Sequence, residues 1–207
     1  MNLFLTGTDT DVGKTYVSAL LVRALRRAGL DTAAMKPFCC GDREDALALH
    51  AACDGAVPLD VINPIWYATP ASPYAAAKVE NRPADMALVR RNFQQLRAQH
   101  RSLIVEGVGG WMVPIAKDYY VADLAAEFAL PVAVVVRNRL GALNHALLTV
   151  RDIRRLGLPF AGIIFNRTEE DNNPATTTNR ALLEELTGEP VLFEIAQGQM
   201  ELEFGVG

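Results

Sequence analysis

Lysine is scarce in this chain: only Lys14, Lys36, Lys78 and Lys117 occur in 207 residues. A lysine inside a ligand-binding pattern is therefore more telling here than on an ordinary surface. Cysteine is scarcer still. Cys39, Cys40 and Cys53 form an odd set with no metal-ligand spacing, which argues against a disulfide framework and suits a reducing cytoplasm. No apolar run reaches the ~18 residues of a membrane span, and polar and charged residues appear within a few positions of Met1. Neither a membrane partner nor an export leader is expected. Positive charge is not in excess either: 20 Lys and Arg against 24 Asp and Glu give a net −4, which leaves no electrostatic footprint for nucleic acid. The pairs Arg26-Arg27, Arg90-Arg91 and Arg154-Arg155 fall in helical patterns and read as solvated faces. Internal repeats and low-complexity linkers are absent.

What remains is a chain that is 50% hydrophobic and 21% charged, enough for the core of one globular domain over residues 1–207. Strand-like and helix-like stretches alternate along it. Residues 2–6, 32–36, 102–107, 131–136, 160–166 and 190–195 read as strands. Residues 14–28, 44–53, 86–99, 143–155 and 174–186 read as helices, with Gly29 and Gly188 as stop signals. Strands separated by helices of this length predict a single-domain α/β fold, a mostly parallel sheet with helices on both faces. The proline-rich stretch 57–83 lacks clean periodicity and reads as an excursion over the top of the sheet. In such sheets ligands collect at the carboxyl ends of the strands, where the unusual residues of this chain also fall.

The first strand end carries "GTDTDVGKT", residues 7–15. A phosphate cradle needs glycine for close backbone approach, a lysine for the outer phosphates and a hydroxyl for Mg²⁺, all at a helix N-terminus. Gly13, Lys14 and Thr15 supply these between a strand and a helix. The usual first glycine would stand at position 8, which is Thr8; Gly7 comes one residue early. "LIVEGVGG" ends a second strand in Glu106, the first choice for a metal carboxylate beside Thr15. Asp45, in "REDALAL", is either a second metal ligand or an ordinary acid favoured by its helix dipole. Spacing does not separate these two readings. Lys36 ends an apolar strand before Pro37 and should point into the ligand crevice, where with Lys14 it would clamp phosphoryl charge. Gly141, Ala142, Leu143 and Asn144 follow a buried strand and open a helix. Their free N–H groups make either a carboxylate site or a plain helix start.

"GTDTDVGKT", "KPFCCG", "DALAL", "VEGVGGW", "LGALNHALLT" and the strand end "FN" occur in an order that resembles dethiobiotin synthetase, a member of the deviant P-loop group, from residue 3 to about 198. The resemblance implies ATP-dependent carboxylation and ring closure of 7,8-diaminononanoate with CO₂, through a carbamate and a carbamic-phosphoric anhydride. Dethiobiotin, ADP and phosphate would be the products. It implies that Lys36 and Lys14 are catalytic, and that Thr15, Asp45 and Glu106 hold Mg²⁺. The nucleotide would be lined by Asp11, Val12, Gly13, Lys14, Thr15 and Tyr16, by Asp45, and by Glu106, Gly107, Val108 and Gly109. Asn166 would read the adenine edge, and residues 196–198 would close over the base. Thr10, Asp11 and Cys40 would meet the diamine, Cys40 standing where the family has a serine. The helix start at Gly141 to Asn144 would take the substrate's carboxylate from a neighbouring subunit, making a homodimer with composite sites.

Two acids in an anion-binding loop then make sense if Asp11 attracts a substrate ammonium and Asp9 belongs to the surroundings of the metal; the other reading is that they face water, more so for Asp9 than for Asp11. The alternative reading is a partition- or positioning-type ATPase switch. That class usually has a second lysine near the start of the loop, where this chain has Thr8 and Asp9.

Overall fold

The computed structural model describes residues 1–167 and 173–202. From the N-terminus the chain forms β1 (Asn2–Gly7), α1 (Lys14–Arg27), β2 (Thr32–Met35), β3 (Phe38–Cys40), α2 (Glu44–Ala52), α3 (Leu59–Ile62), β4 (Ile65–Tyr67) and α4 (Pro73–Val79). It continues through α5 (Met86–Gln99), β5 (Ser102–Glu106), β6 (Pro114–Ala116), β7 (Tyr119–Tyr120) and α6 (Val121–Phe128). The last elements are β8 (Val132–Arg137), α7 (Ala142–Arg155), β9 (Phe160–Asn166), α8 (Pro174–Thr187) and β10 (Val191–Ile195).

Six strands form one parallel sheet in the order β10-β9-β8-β1-β5-β2. Its centre is apolar at successive positions: Val132, Ala133, Val134, Val135 and Val136 are all 0% exposed. Side chains alternate between the two faces of a strand, so five such residues in a row require cover on both. α1 packs on β1, β2 and β5, and α7 on β8 and β9. β1 sits between β5 and β8, so the chain leaves β1 toward one edge and later returns to its other side. The carboxyl end of β1 is therefore a topological switch point, the place where such sheets bind ligands.

The stretch 57–83 is more ordered than its sequence suggests. It holds α3, β4 and α4, and β4 pairs in parallel with β3 in a separate two-stranded sheet. α4 begins at Ser72, whose hydroxyl accepts from the Ala75 N–H, with Pro73 in its first turn. α6 was not expected from the sequence either. It starts at Tyr120 rather than a Ser, Thr, Asp or Asn, and ends at Ala129 in a left-handed conformation (φ 51°) rather than at glycine. Without the usual boundary residues, its eight positions carry no clear local signal.

Candidate active site

The turn after β1 is shaped by two residues with positive φ, Asp11 (57°) and Gly13 (87°). Gly13 could not be another residue without rearrangement, because a Cβ there would lie 2.0 Å from Asn166 Nδ2. α1 opens directly on Lys14, with no side-chain cap at Gly13 and no acid in its first turn. By contrast Ser72, Asp85 and Asn173 cap α4, α5 and α8. The first N–H groups of α1 are thus left for a ligand, and the helix dipole favours an anion there.

Lys14 curls back over this turn and donates from Nζ to the Asp9 carbonyl at 2.9 Å. Burial, with Lys36 nearby, pulls its pKa down to about 8. The Asp9 carboxylate accepts the Thr10 N–H at 2.8 Å and is exposed. That differs from the expectation that Asp9 sits by the metal: it shapes the turn instead.

Below the loop lies a buried charged group. Lys36 is 2% exposed and its Nζ reaches Glu106 Oε1 at 2.5 Å and Asp45 Oδ2 at 2.7 Å. It also donates to the Gly107 carbonyl at 3.3 Å. Burial disfavours its charge, but the two carboxylates outweigh that and hold its pKa above the ordinary lysine value. Asp45 is also partly desolvated, and Lys36 more than compensates, lowering its pKa. Thr15 Oγ1 donates to Glu106 Oε1 at 2.7 Å, and its hydroxyl beside Asp45 helps to lower that carboxyl's pKa. Thr15, Asp45, Glu106 and Lys36 therefore meet at one point although up to 91 residues separate them in the chain. Glu106 Oε2 is buried with no hydrogen-bond partner. A bare buried carboxylate oxygen is costly, and beside a hydroxyl and a second carboxylate it fits a hard cation such as Mg²⁺.

A cavity of about 700 Å³ opens over this group. Thr10, Asp11, Gly13, Lys14, Thr15, Tyr16, Lys36, Cys40, Asp45, Val108 and Gly109 line it. Phe38, Cys39, Asp42, Glu44, Pro70, Ala71, Ser72 and Val113 also line it, and the sequence had not singled these out. Glu106 and Gly107 do not line it; Lys36, which does, bonds to both. Val12 is buried, and its carbonyl accepts from Asn166 Nδ2 at 3.0 Å. This contact puts Asn166 under the loop, with one of its two amide hydrogens engaged. Tyr16 donates its hydroxyl to the Gln199 carbonyl, so residues 196–199 turn beside the cavity rather than line it. Burial and Glu80 push the Cys40 thiol up to about 11, and burial raises Cys39 to about 12. Both are neutral thiols, not nucleophilic thiolates. Gly141, Ala142, Leu143 and Asn144 do not line this cavity; Gly141 and Asn144 are exposed at the uncapped start of α7.

Comparison with known proteins gives three results. A family model described as an AAA domain matches residues 1–199. The ATP-dependent dethiobiotin synthetase BioD of Akkermansia muciniphila is 45% identical over 205 residues, 99% of this chain and 96% of that protein. The protein of the same name from Anaeromyxobacter dehalogenans strain 2CP-C is 46% identical over 189 residues, covering 89% of this chain and 85% of that protein. In structure the chain is similar to the septum site-determining protein MinD of Pyrococcus horikoshii, solved with Mg-ADP. That match has a TM-score of 0.60 at 16% identity and covers 95% of this chain and 82% of that one. At that identity the likeness speaks for the fold alone.

Proposed function

Because the chain belongs to the ATP-dependent dethiobiotin synthetase family, we propose that the cavity over the ends of β1, β2 and β5 is where it closes a ureido ring. The reaction is ATP-dependent ligation: 7,8-diaminononanoate and CO₂ become dethiobiotin while ATP becomes ADP and phosphate. One observation carries the site assignment. Lys36 is held at 2.5 Å from Glu106 and 2.7 Å from Asp45, directly below the phosphate loop.

The first step joins one substrate amine to CO₂ as a carbamate. The α1 N-terminus and Lys14 hold the triphosphate, and Lys36 steadies the carbamate oxygens. A carbamate oxygen attacks the γ-phosphorus and ADP leaves. The second amine then attacks the carbonyl carbon, and phosphate leaves with the oxygen that came from the carbamate. Charge grows on the phosphoryl and ADP oxygens during transfer, and on the carbonyl oxygen when the second amine attacks, so fixed cations at Lys14 and Lys36 lower the barrier more than they aid binding. Asp11 stands at the cavity wall, where it attracts a substrate ammonium; Thr10 and Cys40 contact the same substrate. Asn166 Oδ1 accepts from the adenine amino group.

Thr15, Asp45 and Glu106 would hold Mg²⁺, and Glu106 Oε2, unpartnered among the described residues, fits that role. Bound there the ion would offset the negative charge of the phosphates. The start of α7 does not line its own cavity and accepts the substrate carboxylate of a second copy, which makes the working unit a homodimer in the cytoplasm. Among the described residues no helix is long and apolar enough to cross a membrane. The test is ADP release measured with each component left out in turn. ADP should form only when diamine and bicarbonate are both present. Release with neither would count for a nucleotide switch instead.

A further inference from the structure

Lys36 lies just past the sheet. The ladder between β2 and β5 ends at Met35 opposite Val105, so the main chain of Lys36 is no longer held by a neighbouring strand. Pro37 follows and has no N–H to offer. Residues 62 and 63 do the holding instead. The Lys36 N–H donates to the Ile62 carbonyl at 2.8 Å, and Asn63 Nδ2 donates to the Lys36 carbonyl at 2.8 Å.

Asn63 reaches the other half of the charged group as well. Its Oδ1 accepts from Arg43 Nε at 3.1 Å, and its main-chain carbonyl accepts from Arg43 Nη2 at 3.1 Å. Arg43 is the residue from which α2 starts, two positions before Asp45. A second donation from Asn63 Nδ2, to the Ile65 carbonyl at 3.0 Å, ties the same side chain to β4. Asn63 is 2% exposed and does not line the cavity. Both amide hydrogens and the amide oxygen are used, a fully satisfied buried polar group that specifies one arrangement.

We infer that Asn63 is a positioning residue for the reaction, fixing Lys36 and Asp45 relative to one another through the Lys36 carbonyl and Arg43. The inference rests on the assignment of Lys36 above. Its reach is small but decisive: Lys36 has a long flexible stem, so where Nζ sits depends on where its main chain is held.

The substitution to make is Asn63→Asp, which keeps size and the acceptor toward Arg43 but turns an oxygen toward the Lys36 and Ile65 carbonyls. With ATP affinity measured by calorimetry and melting followed to confirm folding, kcat should fall on the order of tenfold to a hundredfold while ATP binding changes little. A merely structural residue would act independently of Lys36, so the same substitution is repeated in Lys36→Gln. There it should cost at most about twofold more, because the group it positions is gone. Arg43→Gln, made from the half-exposed side, removes the α2 tie without touching the core, and should show the same dependence on Lys36. That arm decides the matter if Asn63→Asp does not fold. Normal kcat in folded Asn63→Asp, or losses that multiply with Lys36→Gln in either variant, would overturn the inference. An inactive wild-type chain would instead overturn the proposed reaction.

Discussion

Lys14 and Lys36 are both buried lysines beside the same loop, yet their protonation runs in opposite directions. Lys36 has two carboxylates in contact and stays charged; Lys14 has a carbonyl and a neighbouring lysine, and its pKa falls to about 8. Bound phosphate must raise the pKa of Lys14 again, so above about pH 8 the complex holds more protons than the free enzyme. The sign follows: ATP affinity should be flat below that pH and weaken above it, by at most about tenfold per pH unit. Calorimetry in buffers of different ionisation enthalpy should show proton uptake above pH 8. Proton release there would contradict the assignment. Cys40 is the other residue where chemistry is exposed to test. A neutral thiol is a weak donor, so Cys40→Ser should keep or improve apparent diamine affinity. A clear loss of affinity in a folded variant would show that the thiol meets some other need.

Lys36 was legible from a single local feature, the lysine ending an apolar strand before Pro37. Asp45 was not separable from an ordinary helix acid until the fold brought it to 2.7 Å from Lys36 Nζ. Asn63 carried no signal at all. Its role rests on contacts reaching 20 residues back to Arg43 and 27 back to Lys36, which no window of sequence contains.

At the scale of elements, the two helix starts assigned above to ligands share one geometry. α1 and α7 both begin after a glycine in left-handed conformation, Gly13 and Gly141, with no side-chain hydrogen bond at the cap. For α7 the proposed ligand is a carboxylate. Asn144 is exposed while Leu143 packs against the core, so Asn144 is the better place for a charge. Asn144→Asp should leave the fold intact, because a helix start tolerates an acid, and raise KM for the diamine by a few-fold to about tenfold. Steady-state kinetics with ATP saturating would check this; an unchanged KM would remove α7 from the site. Long elements such as β8, α1 and α8 could be read because apolar runs and glycine stops agree with the fold there. The three-residue strands β3 and β4 could not, since pairing between distant short segments leaves no periodicity to find.

For the whole molecule, the expectation of a parallel sheet holds, and the glycine-rich loop before α1 lies at the switch point at the end of β1. Whether two copies complete each site is a question of assembly. If two copies share each site as proposed, Lys36→Gln and Asn144→Asp impair different halves of it. When their subunits are mixed and reassorted, half the dimers carry one intact site, giving about one quarter of wild-type activity at low diamine. A mixture no more active than the mean of its parents, with reassortment verified by mass spectrometry, would assign the whole site to one chain.

The central claim is that a carbamate oxygen, not water, takes the γ-phosphoryl group. The direct measurement supplies ¹⁸O-labelled CO₂ with diamine and ATP in a short reaction, then weighs the phosphate released. One labelled oxygen should appear in each phosphate, in step with dethiobiotin. Unlabelled phosphate, its fourth oxygen taken from solvent, with ADP formed at the same rate, would mean simple ATP hydrolysis and would contradict the account.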